Sequence, residues 1–276
     1  MTSSQAGHTA TSAFTRAGPR KEALTTSGRV GFVARGIVYI LIGVLAVQIA
    51  FGHGGAQADR QGALQQIASE PFGDTMLWIL AVGFGCMTLW QAFTAVFGED
   101  GEKKKGPRLV CAGSAVLYAS VCWGTAAFAA GGGSQSGGDT KSRDWTATAL
   151  KLPAGQVLVA IAGVVLFGVG VGIVVQALRR TFLKKLRTGE MGRRTEQVVT
   201  ALGLGGTAAR GVVFAAAGVF VLIAAVTFDP HKAKGIDATL RSFAHTPAGP
   251  WLLVLVAVGM MLFGLFSFAS ARWRRL

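Results

Sequence analysis

"VARGIVYILIGVLAVQIAFG" (residues 33 to 52) and "AARGVVFAAAGVFVLIAAVTF" (residues 208 to 228) decide how this chain is read. Each is an apolar run of about 20 residues, the length that crosses a hydrocarbon core. Each also carries one arginine near its start, Arg35 and Arg210. With residue 34 laid on 209, both read Ala-Arg-Gly, and Val38 then falls on Val213, Tyr39 on Phe214 and Gly43 on Gly218. Such likeness between distant parts of one chain points to an internal repeat.

Working outward, six segments have the length and apolarity of spans: about 30–51, 73–97, 108–130, 154–178, 207–228 and 249–271. The 276 residues are 51% hydrophobic and 14% charged, with 39 Gly. That composition fits membrane helices whose backbones approach through small residues. A soluble helical protein would show polar faces on most of these helices, and almost none has one. Residues 1–29, rich in Ser, Thr, Ala and Gly, read as a disordered basic tail, and the first span as an uncleaved signal anchor.

The net charge of +14 would suit a nucleic-acid binder, but its distribution excludes that reading. The termini, loops two and four and the adjoining span ends hold 20 Lys and Arg against six acids. The opposite side holds seven of each. A one-sided excess marks a cytoplasmic surface and attracts anionic lipid headgroups. The linker 181–206 and the end 272–276 share that basic character. No nucleic acid is expected, because the basic cluster lacks interleaved aromatic residues apart from Phe182.

The repeat recurs beyond the opening pair. "PFGDTMLWILAVG" (71 to 83) matches "PAGPWLLVLVAVG" (247 to 259), and a weaker middle copy has Ala112-Gly113, then Tyr118, then "PAGQVLVAIAGV" (153 to 164). The units are therefore 30–98, 107–180 and 207–271. Each reads span, outer loop, Pro-x-Gly, span, with Pro71 and Gly73, Pro153 and Gly155, and Pro247 and Gly249 at the turn. Gly36, Gly113 and Gly211 mark the first spans. Asp59, Asp144 and Asp237 are each placed to cap a short loop helix. Parallel copies imply a pseudo-threefold axis along the membrane normal. The expected fold is an all-α membrane protein of six transmembrane helices, arranged as three two-helix repeats.

This pattern resembles a family of mainly actinobacterial membrane proteins known as domain of unknown function 1206. The likeness rests on the Ala-Arg-Gly openings, Ala63-Leu64 in the first loop and the Pro-x-Gly turns, over roughly residues 30 to 271. It implies three two-span units and brings no reaction. The middle copy departs by lacking an arginine beside Ala112-Gly113.

The arginines carry the sharpest functional question. Tyr39 and Phe214 follow them at i+4, and helical aromatic side chains lean toward the N-terminus, so each ring is expected over its own arginine. The preferred reading is a snorkelling anchor to headgroup phosphates, for which Lys would substitute. The alternative is a buried grip on a neighbouring helix or a lipid. Trp90 and Trp123 read as packing residues, and Cys86, Cys111 and Cys122 as small packing residues rather than a disulfide framework. The outer His53, His231 and His245 lack a compact metal-binding spacing, and no cofactor or metal is expected. No catalytic motif is present. Chemistry of this kind points away from an enzyme. It favours a structural protein binding lipid, a membrane-protein partner or a second copy of itself. The rival is a small-solute transporter or channel along the pseudo-axis. A polar, hydrated axis would favour the rival, and a packed one the structural reading.

Overall fold

The computed structural model describes residues 18–51, 57–97, 105–131, 138–152, 154–244 and 249–274. Pro153 and Pro247 of the repeat signature lie outside them. Six long apolar helices are present: α1 (Gly18–Ala50), α3 (Gly73–Phe97), α4 (Lys105–Ala129), α6 (Gly155–Leu178), α7 (Arg193–Thr227) and α9 (Gly249–Trp273). Three shorter helices fill the outer loops: α2 (Arg60–Ala68), α5 (Gly138–Leu150) and α8 (Ile236–Ala244). The protein is a multi-pass membrane protein built from three units of span, loop helix and span.

The repeats pack as a ring in which the first span of each unit rests on the second span of another. The closest pairs are α1 with α9, α7 with α6, and α4 with α3. The same positions make the contact each time. A Cβ on Gly43 would lie 2.8 Å from the Ala257 carbonyl oxygen, and one on Gly218 would lie 3.0 Å from that of Gly163. In the middle unit the equivalent residue is Cys122, whose thiol donates to the Ala81 carbonyl at 3.3 Å. About two turns closer to the basic end, Gly36 meets Gly264 and Gly211 meets Gly170. These glycines are needed because the backbones touch. Within a unit, α1 packs on α3 and α7 on α9, whereas α4 and α6 make no comparable contact among the described residues. The ring is therefore open on the side of its middle unit.

Several expectations change here. Gly113 faces open space, and the packed position is taken by Ala115. Small residues pack α6 as the composition suggests, but on one face only: Gly170 meets α7 while Gly168 and Gly172, two residues to either side, face open space. Trp123 points outward, 78% exposed, while Trp90 is buried. Helix α1 already runs from Gly18, and Gly31 lets it pass α3 closely at Met87. Residues 193–206 belong to α7 rather than to a linker, with Val199, Gly203 and Gly206 buried against α9 and Phe182.

The outer end is capped by the loop helices. Asp59 is the N-cap of α2 and accepts from the Gly62 amide at 2.9 Å. Asp237 lies inside the first turn of α8, where it accepts from the Ala58 amide at 2.7 Å and from Arg241 Nε at 2.8 Å. It thus ties the third repeat's loop to the first's. Asp144 caps nothing, because α5 is 13 residues long and places it mid-helix. Burial pushes the Arg60 guanidinium below its ordinary value, and the neighbouring Asp59 charge opposes that shift. Before α3 and α6 the turn residues Phe72 and Ala154 are left-handed, with φ of 65° and 62°. Gly73 and Gly155 follow because the Ile67 and Ala149 carbonyls fill the space a Cβ would need. Below this cap, Leu64 and Leu240 join Leu45, Leu77, Leu253 and Met260 in one apolar core.

Candidate functional site: arginines stacked between aromatic rings

Beneath the apolar core, toward the basic end, the repeats bring together three arginines. Arg35 comes from α1 and Arg210 from α7, each about 25 Å or less from the outer end of its helix at 1.5 Å per residue. Against a core about 30 Å thick, that depth lies inside the basic-side leaflet. Arg274 arrives from just beyond α9. Its placement depends on the segment after α6, where Leu186 pairs with Arg274 in an isolated antiparallel bridge and the Arg187 amide donates to the Trp273 carbonyl at 2.9 Å.

The three cations and their rings alternate. Arg210 lies 5.0 Å from the Phe263 ring centroid, Arg35 lies 5.0 Å from the same ring and 4.6 Å from Phe32, and Arg274 lies 5.0 Å from Phe32 and from Trp90. Ring faces attract guanidinium groups and offset the repulsion among three like charges. Phe214 does stack on its own Arg210, at 5.3 Å. Tyr39 does not stack on Arg35. It lies over Arg210 at 5.7 Å and meets Phe263 edge-on at 4.7 Å, because the ring architecture turns it toward α7 and α9.

Arg35 makes an interhelix contact. Its Nε donates to Ser267 Oγ on α9 at 3.1 Å, while that hydroxyl donates onward to the Phe263 carbonyl at 2.9 Å. The Tyr118 side chain on α4 lies beside the same guanidinium. Arg210 Nε is buried and has no hydrogen-bond partner. Tyr118 stands where Tyr39 and Phe214 stand in their units, and four residues before it the middle unit has Ser114 in place of an arginine. Arg274 supplies the third cation from the chain's other end.

Tyr118, Phe263, Ser267 and Arg274 were not singled out for this site by sequence. Tyr118 carried a signal, its register with Tyr39 and Phe214. Arg274 carried none beyond membership of a basic end, and Ser267 is a lone hydroxyl in an apolar run. Within the six candidate spans the acidic residues are Asp74, at the opposite end of α3, and Glu196, in the first turn of α7. The cluster offers cationic donors, which suit holding helices in position or holding an anion.

The comparisons agree with this architecture. A family model described as Domain of Unknown Function (DUF1206) matches residues 30–98, 109–180 and 205–274. The uncharacterized protein YxxB of Bacillus subtilis (strain 168) is 31% identical over 244 residues, covering 87% of this chain and 87% of that protein. No solved structure matches. Three tandem matches, each falling on one two-span unit, place this chain in the DUF1206 family.

Proposed function

We propose a non-enzymatic protein of the cell membrane, with both termini cytoplasmic, that binds anionic lipid at its basic end and conducts nothing along its axis. The packed axis carries this reading. Leu64 from α2 and Leu240 from α8 are buried against Leu45, Leu77 and Leu253, so apolar side chains occupy the space a solute would cross. A transport path needs polar groups and water there. The basic excess supports the orientation through the positive-inside tendency, and the attraction to anionic lipid through the leaflet's surface charge.

The test is purification in mild detergent followed by mass spectrometry of retained lipids, with the same protein reconstituted into vesicles. Retained lipid should be enriched in anionic species relative to the host membrane, and the vesicles should swell in small solutes no faster than protein-free ones. Retained lipid of host composition together with faster swelling would contradict the reading.

A further inference from the structure

We infer that the groove between the start of α7 and the end of α9 is a seat for one anionic phospholipid. This rests on the lipid-binding reading above and gives it a location. The groove has a volume of about 510 Å³ and opens sideways from the bundle. Val198 and Leu202 of α7 and Leu265 and Phe268 of α9 line it, and its surface is almost wholly apolar. Val198 is 58% and Leu265 44% exposed, so no other described part of the chain covers this wall.

One end differs. Arg194 and Arg272 line it there, with Trp273 beside them and Arg272 stacked 5.6 Å from the Trp273 ring. No carboxylate lines the groove. Gly192, the N-cap of α7, offers no side-chain acceptor to the first helical amides, which adds partial positive charge at the same place. From Leu265 to Arg272 the groove follows α9 for about 10 Å at 1.5 Å per residue. It therefore runs from the level of Ser267 and the arginine cluster down to the membrane boundary. An apolar trough with two arginines and a tryptophan at its boundary end matches an acyl chain leading to a phosphate. Arginine suits the phosphate because its planar fork donates two parallel hydrogen bonds. A soluble phosphate would leave the trough empty, and a zwitterionic lipid would set an ammonium near the arginines.

The experiment is native mass spectrometry of the full chain in detergent, titrated with phosphatidylglycerol or phosphatidylcholine. Three variants accompany the wild type: Arg194→Gln with Arg272→Gln, Arg179→Gln with Lys184→Gln as a charge-matched control, and Leu265→Trp, which fills the trough and keeps both charges. Wild type and control should hold phosphatidylglycerol in preference to phosphatidylcholine. The groove double variant should lose affinity by about tenfold or more, given the attraction that each basic residue near the surface supplies. Leu265→Trp should weaken binding as well. Equal losses in the two double variants, or full binding by Leu265→Trp, would overturn the seat and leave the general reading intact. A wild type that holds neither lipid would overturn both.

Discussion

Arg35 can be replaced in two ways that separate its possible roles. A snorkelling anchor tolerates Lys, because an ammonium on a flexible stem also reaches headgroups. The observed contacts do not, since Lys has no Nε to donate to Ser267 and no plane to lie between Phe32 and Phe263. Arg35→Lys should therefore lose about 1 kcal/mol, in the range for a partly desolvated cation on a ring. Arg35→Leu should lose more, because Ser267 loses its donor and the Phe32 and Phe263 rings lose their cation. Thermal unfolding in detergent measures both, and an unchanged midpoint for Arg35→Lys would restore the anchor reading. Sequence made Arg35 and Arg210 visible, since charges in apolar runs stand out. It could not pair Tyr39 with Arg210, because i+4 spacing speaks only of one helix and that ring crosses to another.

The helices differ in which glycines they require. A Cβ on Gly211 would lie 2.9 Å from the Gly170 carbonyl oxygen and 2.7 Å from Val174. Gly211→Val should force α7 from α6 and lower the unfolding midpoint by several degrees, within the range of overpacked sites. Gly113→Val on α4 should do little, because nothing lies within 4 Å of its Cβ. Equal effects would mean that the α7–α6 contact is not the close one. The outer cap has its own test. Asp237→Ala removes the acceptor of the Ala58 amide, so hydrogen exchange should quicken at Ala58 and at the start of α2. Unchanged exchange there would deny the tie between the loops. The spans were legible because 20-residue apolar runs allow few other structures. The basic-end extensions of α1 and α7 were not, since Gly, Ser and Thr resemble a loop until Met87 and Phe263 are seen packed on Gly31 and Gly206. Asp59 was read correctly as a cap, whereas Asp144 and Asp237 were displaced by where their helices begin.

The whole molecule is a ring of three like units, open beside the middle one, with an apolar outer cap and arginines at the basic end. Its orientation is testable in intact cells lacking the native thiols. A cysteine at Lys184 should resist a membrane-impermeant thiol reagent, and one at Lys232 should react; the reverse would invert the topology. The three-unit plan was legible because the copies keep their small motifs in order. The opening was not, because it depends on α4 and α6 failing to meet. The central claim is that each unit's first span packs on another unit's second span, and the α3–α4 contact tests it most directly. A Cβ on Gly85 would lie 3.5 Å from Cys122 Sγ, close to the spacing that a disulfide needs. With Cys86 and Cys111 replaced by Ala, Gly85→Cys should form an intramolecular disulfide with Cys122 on mild oxidation in membranes, seen as one linked peptide pair. A free Cys122, or a disulfide joining two molecules instead, would contradict the ring.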